Sequence, residues 1–213
     1  MELDTDALAA PERYKLLIGG IVPRPIAWVS TVSPDGKTVN LAPFSFFNGV
    51  GSNPMTLLFC PANKPDGSEK DSLRNAKPIK EGGSGEFVVN IATNALAKPM
   101  AACSEPLPYG ESEFDLANLT MAKSAVVKPP RVGESPVAFE CHTLHVFRTN
   151  ANAPSAGNVV IGRVVHMFVR DDLINDRLRI DQDRLDAIGR MGGLMYARTR
   201  DRFELPMGRE ALR

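Results

Sequence analysis

The chain has 213 residues, and its 25 lysines and arginines balance its 25 aspartates and glutamates, so the formal net charge is zero. Neutrality excludes a nucleic-acid binder that works through bulk electrostatics, because such a protein needs a clearly basic face. Hydrophobic residues make up 43% and charged residues 23%, which excludes a disordered chain. We expect one domain over residues 1–213, with an N-terminal arm to about residue 20 and a covering segment from about residue 170 to 213.

The expected location is the cytoplasm, with no membrane partner. No apolar run reaches the roughly 18–20 residues of a transmembrane helix, and Met1–Ala10 lacks the basic and apolar regions of a signal peptide. The three cysteines, Cys60, Cys103 and Cys141, form no Cys-x-x-Cys motif. Neither a disulfide framework nor a zinc site is therefore predicted.

The predicted strands are short, rich in β-branched or aromatic residues, and bounded by turn formers. In chain order they are Ile26–Val32, Thr38–Leu41, Met55–Cys60, Glu86–Ile91, Val137–Phe147 and Asn158–Val169. Helices are predicted at Ser72–Lys77, at Ala95–Cys103 and at Ser112–Leu119. Many strands, short loops and few helices predict a mainly β chain, folded as an antiparallel barrel or sandwich.

Several motifs are absent, and their absence narrows the function. The chain has no GxGxxG after a strand, no GxxxxGK[ST], no HExxH, no GxSxG and no SxxK. The glycine cluster Gly82–Gly85 leads into a strand and is predicted to be a flexible turn. His142 and His145 lie three residues apart on a predicted strand and point to opposite faces, so they cannot share a metal ion. No metal site is expected.

The segment Asn40–Asn48, with sequence NLAPFSFFN, is unusual for a strand. Pro43 removes a donor from the hydrogen-bond ladder, so the chain must bulge there or lie at a sheet edge. Backbone polar groups beside phenylalanine rings would suit the edge of a flat heteroaromatic ligand. An aromatic core cluster on a kinked strand is an equally good interpretation of the same residues.

Lys70, Asp71 and Ser72 stand at the predicted start of a helix. Free N–H groups and the helix dipole favour an anion at such a position, and a lysine adds a full positive charge. A phosphate site is one interpretation, and a solvated helix cap is the other.

These segments together resemble a known family. In order, RPIAWVST (24–31), NLAPFSFFN (40–48), Ser52-Asn53-Pro54, Lys70-Asp71-Ser72, GEFVVN (85–90) and SPVAFEC (135–141) resemble the flavin reductase-like proteins that bind FMN. The resemblance extends from Pro23 to Tyr196. It implies a Greek-key split β-barrel of the FMN-binding type, a homodimer, and FMN at or near the dimer interface.

The resemblance also implies a set of flavin-binding residues. The isoalloxazine would lie against the backbone of Ala42, Pro43, Phe44 and Ser45, and the ribityl chain or pyrimidine edge near Ser30, Thr31 and Asn48. The phosphate would meet Lys70, Asp71 and Ser72, with Arg24 as a further candidate. Arg190 and Tyr196 would close over the flavin from either subunit. Ser72 departs from the commoner threonine but keeps the hydroxyl, whereas Met191 and Met195 also depart and leave these late contacts open.

A flavin supplies the redox chemistry itself, so the protein needs only to bind, orient and tune it. This explains why no catalytic side chain is predicted. The leading hypothesis is an FMN-dependent NAD(P)H oxidoreductase that passes hydride or electrons to free flavin, oxygen or a partner oxygenase or redox protein. The alternatives are an FMN-binding electron carrier of the flavoredoxin type and a split-barrel binding module without flavin.

Overall fold

The structure is a computed structural model that describes residues 1–213. Strands account for 33% of the chain and helices for 21%, so the fold is mainly β as predicted. The strands are β1 (Ala27–Val32), β2 (Val39–Phe44), β3 (Phe47–Ser52), β4 (Met55–Phe59), β5 (Glu86–Ile91), β6 (Met121–Ala122), β7 (Arg131–Val132), β8 (Val137–Arg148), β9 (Asn158–Val169), β10 (Ile188–Arg190) and β11 (Tyr196–Arg198). The helices are α1 (Ala10–Gly20), α2 (Asp71–Ala76), α3 (Ala97–Ala102), α4 (Glu113–Leu116) and α5 (Gln182–Leu185).

Seven strands form one antiparallel sheet in the order β2-β1-β5-β8-β9-β4-β3. Strands β2 and β3 are opposite edges of this sheet, yet only Ser45 and Phe46 separate them in the chain. The sheet must therefore curl until its two edges approach each other, which makes a barrel that is split between β2 and β3. The predicted split β-barrel is confirmed.

The predicted strands are all confirmed, with small shifts at their ends. The short strands β6, β7, β10 and β11 and the edge strand β3 were not predicted. Helices α3 and α4 lie within the predicted segments, and α2 begins one residue before its predicted start at Ser72. Pro99 occupies the first turn of α3, where the backbone N–H that proline lacks has no intrahelical acceptor.

The N-terminal arm contains a helix that the sequence pattern did not indicate. Pro11 lies in the first turn of α1, and the carboxylate of Glu12 accepts a hydrogen bond from the Ala9 N–H at 2.8 Å. Both features favour a helix start. No residue of α1 is buried, because the helix lies on the surface beside the barrel.

The core has two layers. The barrel interior is filled by Phe44, Phe59, Phe87 and their aliphatic neighbours, with ring centroids 5.3 and 5.1 Å apart along the series. A second cluster around Trp28 packs the outer face of β1 and β2 against α3 and α4. Strand β1 is consequently buried at every position. The two layers place α4 directly beside the edge strand β2.

The C-terminal β10–β11 hairpin lies beside the residues that precede β1. Arg24 and Arg190 exchange backbone hydrogen bonds of 2.9 and 2.8 Å, which fixes the β10–β11 hairpin beside the chain that enters β1. None of the helices combines the length and the apolar character that crossing a membrane requires.

Candidate functional site

A cavity of about 750 Å³ lies at the open edge of the sheet. Its walls are β2, the start of α2, the loop after α3 and the C-terminal hairpin, and Tyr14 of α1 closes one side. The predicted site residues that line it are Ala42, Pro43, Phe44, Ser45, Lys70, Asp71, Ser72, Arg190 and Tyr196. Small-molecule sites in proteins have volumes of roughly 300–1,000 Å³.

The edge strand presents its backbone to the cavity. The Leu41 N–H points away from the sheet, because it donates to the Glu113 carboxylate at 2.8 Å. Strand geometry repeats every two residues, so Pro43 occupies the next outward position, where no ladder donor is needed. This confirms the edge position expected for Pro43. The following outward N–H belongs to Ser45, and it makes no hydrogen bond within the chain.

The segment Asn40–Asn48 was interpreted either as the edge of a ligand site or as an aromatic core cluster, and Phe44 shows that the two are compatible. Its side chain is buried in the barrel interior and packs against Phe59 with the two rings tilted by 45°, as in an aromatic core cluster. The neighbouring backbone nevertheless lines the cavity. Core packing therefore holds the edge strand in place while its outer side remains available to a ligand.

A cationic group without an acidic partner stands at the start of α2. Lys70 forms no salt bridge within the chain, and its ammonium lies 6.0 Å from the centroid of the Phe44 ring. Desolvation within the cavity, together with the positive charge of Lys64, lowers the pKa of Lys70. Asp71, by contrast, is neutralised by Arg74 at 2.6 Å and Lys64 at 3.4 Å.

Ser72 adds a hydroxyl beside this lysine. Its oxygen accepts a hydrogen bond of 3.0 Å from the Asn40 side-chain amide, and both residues are buried and line the cavity. Because the oxygen is the acceptor in this contact, the hydroxyl proton remains free to donate to a ligand. The backbone N–H groups in the first turn of α2 also lack intrahelical acceptors.

The C-terminal hairpin contributes an arginine and a tyrosine to the cavity wall, Arg190 and Tyr196. The Arg190 guanidinium lies 4.5 Å from the centroid of the Tyr196 ring and donates to the Gly193 carbonyl at 2.5 Å. Arg190 has no carboxylate partner in the chain. Both residues line the cavity together with Tyr14.

The donor set of the cavity fits FMN. A phosphate requires cations and N–H or O–H donors, which Lys70, Ser72 and the start of α2 provide. A heteroaromatic ring requires backbone groups and flat apolar surface along one edge, which the Pro43–Ser45 segment provides. Both sets line one cavity.

The family model of the flavin reductase-like domain matches residues 19–202. The chain belongs to this flavin reductase-like family. An uncharacterised protein of Halalkalibacterium halodurans is 39% identical over 206 residues, which are 96% of this chain and 95% of that protein.

Solved structures of the flavin reductase-like fold agree with this membership. Nitrilotriacetate monooxygenase component B from Bacillus cereus is 34% identical with a TM-score of 0.88, and the match covers 96% of this chain and 98% of that one. The 2-nitrobenzoate 2-nitroreductase of Pseudomonas fluorescens is 28% identical with a TM-score of 0.84, covering 98% and 97% of the two chains. Both matches extend over nearly the whole chain, so this protein is a flavin-related oxidoreductase.

Arg24 does not line the cavity that was expected to include it. The residue is only 4% exposed, and its guanidinium donates to the carbonyls of Ile18, Ile21 and Met191 and to the Ser45 hydroxyl, at 2.6–3.1 Å. Burial is the main cause that lowers the pKa of Arg24, and nearby Arg190 adds to it, whereas Tyr14 opposes it. Arg24 thus supports the cavity wall through Ser45 and has few donors left for a phosphate.

Ser30, Thr31 and Asn48 also lie outside the cavity lining. Ser30 and Thr31 are fully buried in β1, where Ser30 donates to the Pro130 carbonyl and Thr31 accepts from the Asn75 amide at 3.1 Å. Asn48 is exposed on β3 and accepts from the Gly49 N–H at 2.9 Å. The central strand β1 is covered on both faces, so its hydroxyls bond to the protein instead.

The cavity contains residues that sequence reasoning did not identify. Tyr14, Met100, Cys103 and Glu113 line it, and the last three come from the layer formed by α3 and α4. Burial raises the pKa of the Cys103 thiol to about 12, so this cysteine stays neutral and is a poor nucleophile. Glu113 lies in the helix predicted at Ser112–Leu119, but nothing in the local sequence indicated that its side chain contacts β2.

Proposed function

We propose that this protein is an FMN-binding oxidoreductase that reduces its flavin with NADH or NADPH. One observation carries the proposal: a single cavity combines an edge strand that has a free N–H with a lysine and a hydroxyl that have no acidic partner. When bound, the flavin supplies the transfer of hydride and electrons. Every other task falls to residues of this chain.

Each wall of the cavity has a proposed role. The backbone of Ala42–Ser45 orients the isoalloxazine edge, and the Ser45 N–H stabilises negative charge that develops on the ring. Lys70 and Ser72 bind the phosphate, while Asp71 holds Lys64 on the same wall of the cavity. Arg190 and Tyr196 cover the remaining side.

The electron acceptor is proposed to be free flavin, another small molecule, or a partner oxygenase or redox protein. The Bacillus cereus relative is a component of a monooxygenase, which supports a separate oxygenase partner. The Pseudomonas fluorescens relative is itself a nitroreductase, which supports direct reduction of a small molecule. We also propose a cytoplasmic homodimer, because α1 and the C-terminal segment expose apolar side chains that a second copy could cover, among them Leu16, Leu17, Phe203, Leu205 and Met207.

Flavin binding is tested by thermal unfolding with added FMN. A ligand that binds only the folded state stabilises it by mass action, by about 2.7 kcal/mol at 100 times its dissociation constant. We expect the melting temperature to rise with FMN concentration, and to rise less with riboflavin at the same concentration. A colourless protein whose melting temperature is unchanged at saturating FMN would favour the binding module without flavin.

A further inference from the structure

Glu113 is a buried carboxyl group that faces the cavity and has one oxygen available. The residue is 6% exposed and begins helix α4. Its Oε2 atom accepts the outward N–H of Leu41 at 2.8 Å. No other residue donates a hydrogen bond to Oε1, and this atom is not sealed inside the protein. Since Glu113 lines the cavity, Oε1 is accessible to a molecule bound there.

Opposing effects act on the pKa of Glu113, so the carboxyl group can hold a proton and can also release it. Burial is the main cause that raises its pKa, and the negative charge of Asp71 on α2 raises it further. Hydrogen bonds from the Leu41 N–H and from the backbone N–H of Glu113 itself oppose both effects, because they stabilise the carboxylate. Cys103, at the end of α3, donates its thiol to the Glu113 carbonyl at 3.7 Å and remains neutral. Lys64 and Lys70 share the cavity but form no ion pair with Glu113.

The Glu113 carboxyl group lies beside the edge strand β2, whose backbone lines the cavity. Leu41, Pro43 and Ser45 follow one another on the outward side of β2. A strand rises by roughly 3.3 Å per residue, so Leu41 and Pro43 are about 7 Å apart along it. This spacing is comparable to the width of a fused aromatic ring system. A ring that lies against Pro43–Ser45 would therefore have Glu113 beside it.

We propose that Glu113 is a catalytic acid of this cavity, which protonates the electron acceptor during its reduction. The inference rests on the proposed flavin function. A quinone or carbonyl acceptor gains a hydride, which is the chemistry a bound flavin supplies, and needs one proton on oxygen. The O–H bond of the Glu113 carboxyl breaks and an O–H bond of the reduced acceptor forms. The resulting carboxylate is held by the Leu41 N–H and regains a proton from water.

The test compares two acceptors with the FMN-loaded, reduced full-length protein. Benzoquinone must take up protons when it is reduced, whereas ferricyanide takes one electron and no proton. In Glu113→Gln the amide oxygen can still accept from Leu41, but the acid is lost. We expect this variant to reduce benzoquinone about 100-fold more slowly and ferricyanide within about 2-fold of the wild-type rate. Equal slowing with both acceptors, or no slowing with either, would overturn the proposal.

A control variant tests whether the effect requires a carboxyl group inside the cavity or only the loss of a carboxylate from α4. Asp115→Asn removes an exposed carboxylate from the same helix but outside the cavity, and it should change neither rate. Glu113→Asp retains an acid and should recover part of the benzoquinone rate if the variant with glutamine folds poorly. In the wild type the benzoquinone rate should fall as pH rises through the raised pKa of Glu113. A flat profile in the wild type would contradict a catalytic acid.

A second readout requires no flavin. The pKa of Glu113 is raised on folding, so the wild-type protein loses stability as pH rises from the ordinary carboxyl pKa through the raised value. Chemical unfolding of the apo-protein should show that Glu113→Gln gains stability relative to wild type over this range, whereas Asp115→Asn does not. If FMN fails to bind the wild type, the proposed function fails, while this titration still reports on Glu113. If FMN binds and the titration is absent, only the role of Glu113 is rejected.

Discussion

Two basic residues near the cavity differ in their surroundings, because Arg24 supports the cavity wall through Ser45 whereas Lys70 lines the cavity itself. Arg24 is almost completely buried, and its guanidinium donates to three backbone carbonyls and to the Ser45 hydroxyl. Lys70 lies on the wall formed by α2 and makes no salt bridge. Both were predicted from the sequence as phosphate ligands. Only Lys70 has its donors free.

Arg24 is therefore a structural cation, whereas the charge of Lys70 is available to a ligand. A buried cation that uses most of its donors within the protein stabilises the fold, because the hydrogen bonds offset its desolvation. A cation that is partly desolvated but unpaired gains most when an anion arrives. Lys77 and Arg148, near the other end of α2, are partly buried and are paired with Glu69 and Glu81, so they too serve the fold. Substitutions at the two sites should therefore affect different properties.

The largest effect is expected for Arg24→Ala. This change removes the donors of four acceptors in a buried junction, so we expect the free energy of unfolding to fall by about 3 kcal/mol. Urea unfolding of the apo-protein measures it. Arg24→Lys should recover only a small part, because one ammonium cannot reach all four acceptors. A loss below about 1 kcal/mol would mean that water replaces these bonds without penalty.

Lys70→Ala should show the reverse pattern. We expect the free energy of unfolding to stay within about 0.5 kcal/mol, and FMN binding to weaken by 10-fold or more, since a charge-assisted bond contributes about 1.5–3 kcal/mol. Riboflavin affinity should change less than 2-fold, because riboflavin lacks the phosphate. Fluorescence titration measures both ligands, with the exposed Lys80→Ala as control. Equal losses for the two flavins would place the phosphate elsewhere.

Ser72→Ala should have a smaller effect on both properties. The change removes the acceptor of the buried Asn40 amide and one donor for the phosphate. We expect about 1 kcal/mol of lost stability and a weakening of FMN binding of about 5-fold. Ser72→Thr keeps the hydroxyl and should bind FMN like the wild type. If Ser72→Thr were as weak as Ser72→Ala, the hydroxyl would have no role in binding.

The smallest expected effect is a difference in the pH dependence of FMN binding between the wild type and Lys70→Ala. Desolvation and Lys64 lower the pKa of Lys70, so its charge disappears at a lower pH than that of an ordinary lysine. FMN affinity should therefore decline as pH rises toward this value, and the decline should be absent in Lys70→Ala and with riboflavin. An alkaline decline that persists in Lys70→Ala would assign it to another group.

Local patterns in the sequence predicted most of the barrel. Alternating and β-branched segments identified the long strands, and Pro43 identified an edge, because proline cannot donate to a ladder. The helix α1 was missed because it buries nothing and so lacks an apolar periodicity. The edge strand β3 was missed because its glycines give it no typical strand composition.

The sequence predicted cavity-lining residues that belong to one local segment and missed those that distant segments bring to the cavity. Ala42–Ser45 and Lys70–Ser72 line the cavity through their own backbone geometry. Glu113 reaches it through a contact with Leu41, 72 residues away in sequence. Ser30 and Thr31 belong to the most characteristic motif, but the sheet order makes β1 an inner strand and buries them. Their positions depend on strand order, which local composition does not encode.

We propose that this cavity holds FMN and that a nicotinamide reduces the flavin there. The most direct measurement is the visible absorption spectrum of the FMN-loaded protein, recorded without oxygen before and after addition of NADH and then of NADPH. We predict that at least one of the two bleaches the flavin bands, and that Lys70→Ala requires more FMN to reach the same loading. A loaded protein that neither nicotinamide bleaches, but that dithionite reduces fully, would contradict the reductase and indicate an electron carrier.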